Sequence, residues 1–125
     1  MDKIVILYFC GIYNVILVIF HFLFWDFFNW KITLKKGTKV NVLAIQIMNI
    51  QLIYLFLFMA IIFFVYPKEL LNSVIGQVLL IGYAGFWILR FGQQFVFIKE
   101  KKSFVIKLHI LFFIGAILHL LAILV

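Results

Sequence analysis

His21, His109 and Arg90 are the residues of this sequence best equipped for chemistry, because each stands in a long apolar stretch where an ionisable group is costly to place. Amides and aromatic rings surround them at helical spacing. His21, Trp25 and Asn29 follow one another at i, i+4 and i+8, and Gln46 and Asn49 are three apart. Arg90 shares a face with Gln93 and Gln94, and Trp87 stands one turn before it, in reach of a cation–π contact. His109, Phe112 and Ala116 line one stripe. Imidazole offers an adjustable proton or a metal-ligating lone pair. Arginine offers a fixed cation for an anionic or carbonyl-bearing group, with glutamines beside it as neutral donors. The expected ligand-binding set is therefore His21, Trp25, Gln46, Asn49, Trp87, Arg90, Gln93, Gln94 and His109. No cofactor is required by this pattern. Haem b is the alternative, with His21 and His109 as axial ligands and Arg90 or nearby lysines meeting the propionates.

The sequence has no motif for catalysis. It holds no Ser-His-Asp set, no HExxH, no Cys/His zinc spacing and no glycine-rich phosphate loop. General acid–base work would fall to His21, His109 or Asp26, and their spacing does not favour it. Cys10 is the single cysteine, so an internal disulfide is excluded and a small packing residue is expected.

The elements that must position these residues follow from composition and charge. Of 125 residues, 68% are hydrophobic and 20% aromatic, against roughly 45–50% apolar in an ordinary soluble domain. Charges are confined to a few places. Lys3 and Asp26, Lys39 and Lys68, and Glu69 and Arg90 each bracket an uncharged run, and no charge follows Lys107. A helix needs roughly 20 apolar residues to cross the hydrocarbon core. The chain thus reads as one transmembrane domain, residues 1–125, with spans at about 4–28, 40–66, 70–98 and 103–125. The expected fold is all-α, a polytopic membrane four-helix bundle running up-down-up-down. At ~1.5 Å per residue, all four spans would bring a polar group to one level, in the cytoplasmic leaflet. The first span is too long for the apolar core of a signal peptide, and no small-x-small cleavage site follows it.

The net charge is +7, and its placement speaks for orientation rather than for nucleic acid. Lys31, Lys35, Lys36 and Lys39 lie around the first loop; Arg90, Lys99, Lys101, Lys102 and Lys107 lie around the third. The positive-inside rule puts these loops in the cytoplasm and both termini on the non-cytoplasmic side. Thr38 and Ser103 are expected N-caps, and Pro67 and Glu69 suit the start of a helix. Phe22, Phe24, Trp25, Phe27, Phe28 and Trp30 form an expected interfacial belt. Gly76, Gly82, Gly85 and Gly92 predict that the third span is the helix most enclosed by protein, with Gly85 more sensitive to a large side chain than Ala60.

The segments from Phe22 to Lys31 and from Gly82 to Arg90 give a chain that resembles the uncharacterised short four-helix inner-membrane proteins of bacteria, in size class and texture. The resemblance implies residence in the bacterial cytoplasmic membrane and carries no functional residue with it. The expected function is a binding or accessory subunit with membrane lipids around it and a homo-oligomer or a membrane protein as partner. The alternatives are an oligomeric small transporter or channel, and a b-haem or quinone redox protein using His21 and His109.

Overall fold

The computed structural model describes residues 2–24, 35, 37–97 and 102–124. Its helices are α1 (Lys3–Phe22), α2 (Lys39–Val65), α3 (Pro67–Asn72), α4 (Val74–Phe97) and α5 (Ser103–Leu124). Among the described residues, α1, α2, α4 and α5 are long and apolar enough to cross a membrane; the shortest, α1, has 20 residues, about 30 Å of helix. The protein is a small integral membrane protein of all-α class. Its outward apolar side chains fit that solvent: Val74 and Ile75 are 81% and 80% exposed, which lipid tolerates and water does not.

Local chemistry starts each helix. The Asp2 carboxylate accepts from the Ile4 amide at 3.3 Å and opens α1. Thr38 is the N-cap of α2, as its sequence position suggests: its Oγ1 accepts from the Asn41 amide at 3.3 Å. Pro67 stands in the first turn of α3, where its missing N–H is no loss, and Glu69 follows in the same turn. Ser103 departs from expectation. It lies inside the first turn of α5, and the preceding Lys102 supplies the first accepting carbonyl, to the Ile106 amide at 3.1 Å.

The third span is not one continuous helix from Leu70, as the apolar run predicts. It breaks at Ser73, whose backbone is extended (φ −110°, ψ 151°). Ser73 Oγ donates to the Glu69 carbonyl at 2.7 Å and accepts from the Gly76 amide at 2.9 Å, so one hydroxyl ends α3 and caps α4. Gln77 Nε2 then reaches back to the Leu71 carbonyl at 3.1 Å. The corner is tight enough to need glycine: a Cβ at Gly76 would lie 2.5 Å from Leu70 Cα.

The other glycines behave differently. A Cβ at Gly82, Gly85 or Gly92 meets nothing within 4 Å, whereas Ala60 on α2 is 2% exposed. The expectation that α4 is the most enclosed helix is therefore overturned. Half of the α1 span is buried, against 28% for each of the others. The reason is the composition of the faces: α1 turns Ile6, Leu7, Cys10, Tyr13, Asn14, Leu17 and His21 to one side at helical spacing, and all seven are buried.

By Cα proximity the chain divides into two units, Met1–Cys10 with Phe63–Val125, and Gly11–Ile62. In the first, α4 and α5 run in close contact, and small residues on α5 (Gly115, Ala116, Ala122) are buried on one stripe. Cys10 Sγ lies 3.6 Å from the Leu118 carbonyl, and Tyr8 stacks with Phe64 at 6.1 Å. In the second, the later part of α1 meets α2 through His21, Asn49 and Phe56. The expected first span runs on to residue 28; its stretch beyond residue 24, with the aromatic belt from Trp25, lies outside the described residues.

Candidate functional site

Each unit holds a histidine and an amide that join two helices, and the two pairs are built differently. On α1, His21 is 6% exposed. Its Nδ1–H donates to the Leu17 carbonyl at 2.8 Å, four residues back on the same helix. The ring stacks on Phe24 at 4.3 Å and tilts against Phe56 of α2 at 5.1 Å. Asn49 of α2, 8% exposed, donates through Nδ2 to the main-chain carbonyl of His21 at 3.2 Å. Asn49 Oδ1 is buried without a hydrogen-bond partner among the described residues. Gln46, one turn earlier, is only half-buried. Trp25, Asp26 and Asn29 lie outside the described residues.

In the α4–α5 pair the crossing bond joins two side chains. Gln94 is 0% exposed, and its Nε2–H donates to His109 Nδ1 at 3.0 Å. With Nδ1 accepting, a neutral His109 carries its proton on Nε2. Gln94 Oε1 is buried and has no hydrogen-bond partner among the described residues. Gln93, its neighbour, is half-buried. Arg90, one turn before Gln94, lays its guanidinium over the Phe112 ring at 4.1 Å from the centroid. Phe112 in turn stacks with Trp87 at 6.2 Å, the ring that stands one turn before Arg90 on α4.

The stack continues past Trp87 to a histidine outside the expected ligand-binding set. His119 is 2% exposed and lies flat against Trp87 at 5.6 Å. Its Nδ1–H donates to the Gly115 carbonyl at 2.6 Å. Tyr83 meets it edge-on at 5.0 Å, and Phe63 tilts against it at 5.7 Å. Arg90, Phe112, Trp87 and His119 thus form one column of stacked planar groups along the α4–α5 seam. The signal was present in the spacing: Tyr83 and Trp87 stand four apart on α4, and Phe112, Gly115 and His119 share a stripe of α5.

A cleft of about 90 Å³ lies by the α3–α4 corner, lined by Lys3, Leu71, Gln77, Leu80, Ala122 and Ile123 among others. It is large enough for a few waters and too small for a lipid head group. Among the described residues, no three His, Cys, Asp or Glu side chains gather as metal ligands do. Compared with protein-family models, curated proteins and solved structures, the chain matches none of them.

Proposed function

We propose that the protein is a binding or accessory subunit of a bacterial cytoplasmic membrane, and that it holds the head group of a lipid-like amphiphile at Arg90, Gln94 and His109. The observation that carries this reading is the fully buried Gln94, whose Nε2 is fixed on His109 while its Oε1 has no partner. A buried carbonyl acceptor is costly unless a donor reaches it, and a hydroxyl-bearing head group is one such donor. The His109 Nε2–H is a donor on the same pair. Arg90, one turn away, supplies the cation for an anionic or carbonyl-bearing group. Gln94 stands in the last described turn of α4, near head-group depth.

Native mass spectrometry of the gently solubilised protein tests the reading. The wild type is expected to carry an amphiphile of discrete mass, lost in Gln94→Leu and in Arg90→Ala. If both variants retain every bound small molecule, the Gln94–His109 bond is helix-to-helix glue and the reading fails.

The orientation belongs to the same proposal. The nine Lys and Arg around the first and third loops, against Lys3 and Lys68 elsewhere, favour an up-down-up-down bundle with both termini on the non-cytoplasmic side. A C-terminal reporter that is active only in the cytoplasm would refute that orientation.

A further inference from the structure

The outward face of α2 carries a second message, independent of the ligand reading. Ala44, Ile47, Gln51, Tyr54, Phe58 and Ile61 alternate at spacings of three and four, the seam of a left-handed helix pair, and all six are exposed. Tyr54 and Phe58 stack nearly parallel along it, ring centroids 6.2 Å apart and planes within 8°. Gln51 is the polar member. It lies about 18 Å from one end of α2 and about 21 Å from the other, which puts it near the bilayer midplane. No hydrogen bond joins it to any described residue. Asn49, two residues earlier, turns inward and is bonded to His21. The helix therefore points one amide at its own chain and the other at lipid. Lipid tails cannot satisfy an amide, and at mid-depth the side chain is too short to reach the head groups.

We propose that α2 is the interface of a homodimer, in which Gln51 pairs with Gln51 of the partner subunit across a two-fold axis along the membrane normal. The occupant is set by the chemistry of the group. A primary amide has both a donor and an acceptor, so it is its own complement. Two copies inserted with the same topology carry Gln51 at the same depth. A two-fold axis along the normal brings each residue of a seam against itself. The 3.5-residue period gives a crossing angle of about 20°, under which the seam stays in contact over its length. The seam is uncharged between Lys39 and Lys68, so no like charges face one another inside the membrane. The open stripe of Gly82, Gly85 and Gly92 on α4 has no comparable demand, because lipid satisfies an apolar face.

Association of the full chain is measured by sedimentation equilibrium over a range of protein-to-detergent ratios. The wild type is expected to dimerise. Gln51→Leu is expected to weaken the dimer roughly fivefold to tenfold, as two modest interhelical hydrogen bonds would. Gln51→Asn retains part of the association, and Gly85→Leu leaves it unchanged. Cysteine cross-linking in a Cys10→Ala background gives the face. Ile47→Cys should link two copies, and Met48→Cys, one residue on and about a quarter-turn away at nearly the same depth, should not. A wild type that is monomeric at every ratio, or an unchanged constant for Gln51→Leu, overturns the proposal without reference to Cys10. Equal cross-linking at Ile47 and Met48 overturns the seam. An Ile47→Cys adduct with a different protein, and none between copies, overturns the choice of a second copy as occupant.

Discussion

The α1–α2 pair and the α4–α5 pair join histidine and amide on different terms. Asn49 donates to a main-chain carbonyl, so the bond that crosses from α2 to α1 does not depend on what side chain stands at position 21. The His21 imidazole is bonded to its own helix and packed on aromatic rings. Gln94 donates to the His109 ring itself, so both identities matter and the bond fixes which nitrogen carries the proton. The same residue types make a main-chain tie in one place and a tautomer-setting pair in the other. The second arrangement sets the His109 Nε2–H and the unpartnered Gln94 Oε1 on one side-chain pair, which is why the proposed function rests on α4 and α5.

The largest expected effect concerns how α4 is set in place, without which its pair has no fixed geometry. Gly76→Ala puts a methyl group into the Leu70 backbone and is expected to destabilise by about 2–3 kcal/mol, or to move α4. Thermal unfolding in detergent reads the loss. A variant as stable as the wild type would show that the corner yields and that α4 is not held from it.

Next comes a contrast of small residues on the two sides of the comparison. Ala60→Leu on α2 should cost about 1–3 kcal/mol, because Ala60 is buried. Gly85→Leu on α4 should change stability by no more than about 0.5 kcal/mol, because its Cβ enters open space. The reverse order would mean that α4 is enclosed after all, and that the pair on α1–α2 is the freer one.

The smallest effect sharpens the comparison most directly. His109→Phe removes the partner of the buried Gln94 Nε2, beside an Oε1 that already has none, and is expected to cost about 1–3 kcal/mol. His21→Phe retains an aromatic ring at this position and the main-chain carbonyl that Asn49 bonds, and gives up the bond to Leu17, for about 1 kcal/mol or less. Equal losses in denaturant titrations of the two variants would erase the distinction between them.

Membrane residence and the four spans were legible in the sequence, because hydropathy and charge are read along the chain and insertion depends on little else. Thr38 and Pro67 were legible for a similar reason: a cap or a first-turn proline acts within one turn of itself. The Ser73 break was not, since an Asn-Ser pair inside an apolar run is compatible with an unbroken helix until Gly76 lets the next segment approach Leu70. Gln94 and His109 were both named from the sequence, but their bond to one another was not, nor was the Phe112 ring under Arg90.

What the sequence by itself determined is the set of spans and the angular position of each residue around its own helix axis. Only the tertiary structure decided which side of each helix meets protein. In water a buried face announces itself as apolar; in a bilayer lipid and protein are both apolar, and the faces of α2 and α4 carry no such contrast. Asn49 turns inward and Gln51 outward, although they stand two residues apart in the same apolar helix. Gly76 is locked against backbone while Gly85 faces open space. Those assignments depend on which side chains of the neighbouring helix are bulky enough to fill the seam, and that information lies in another part of the chain.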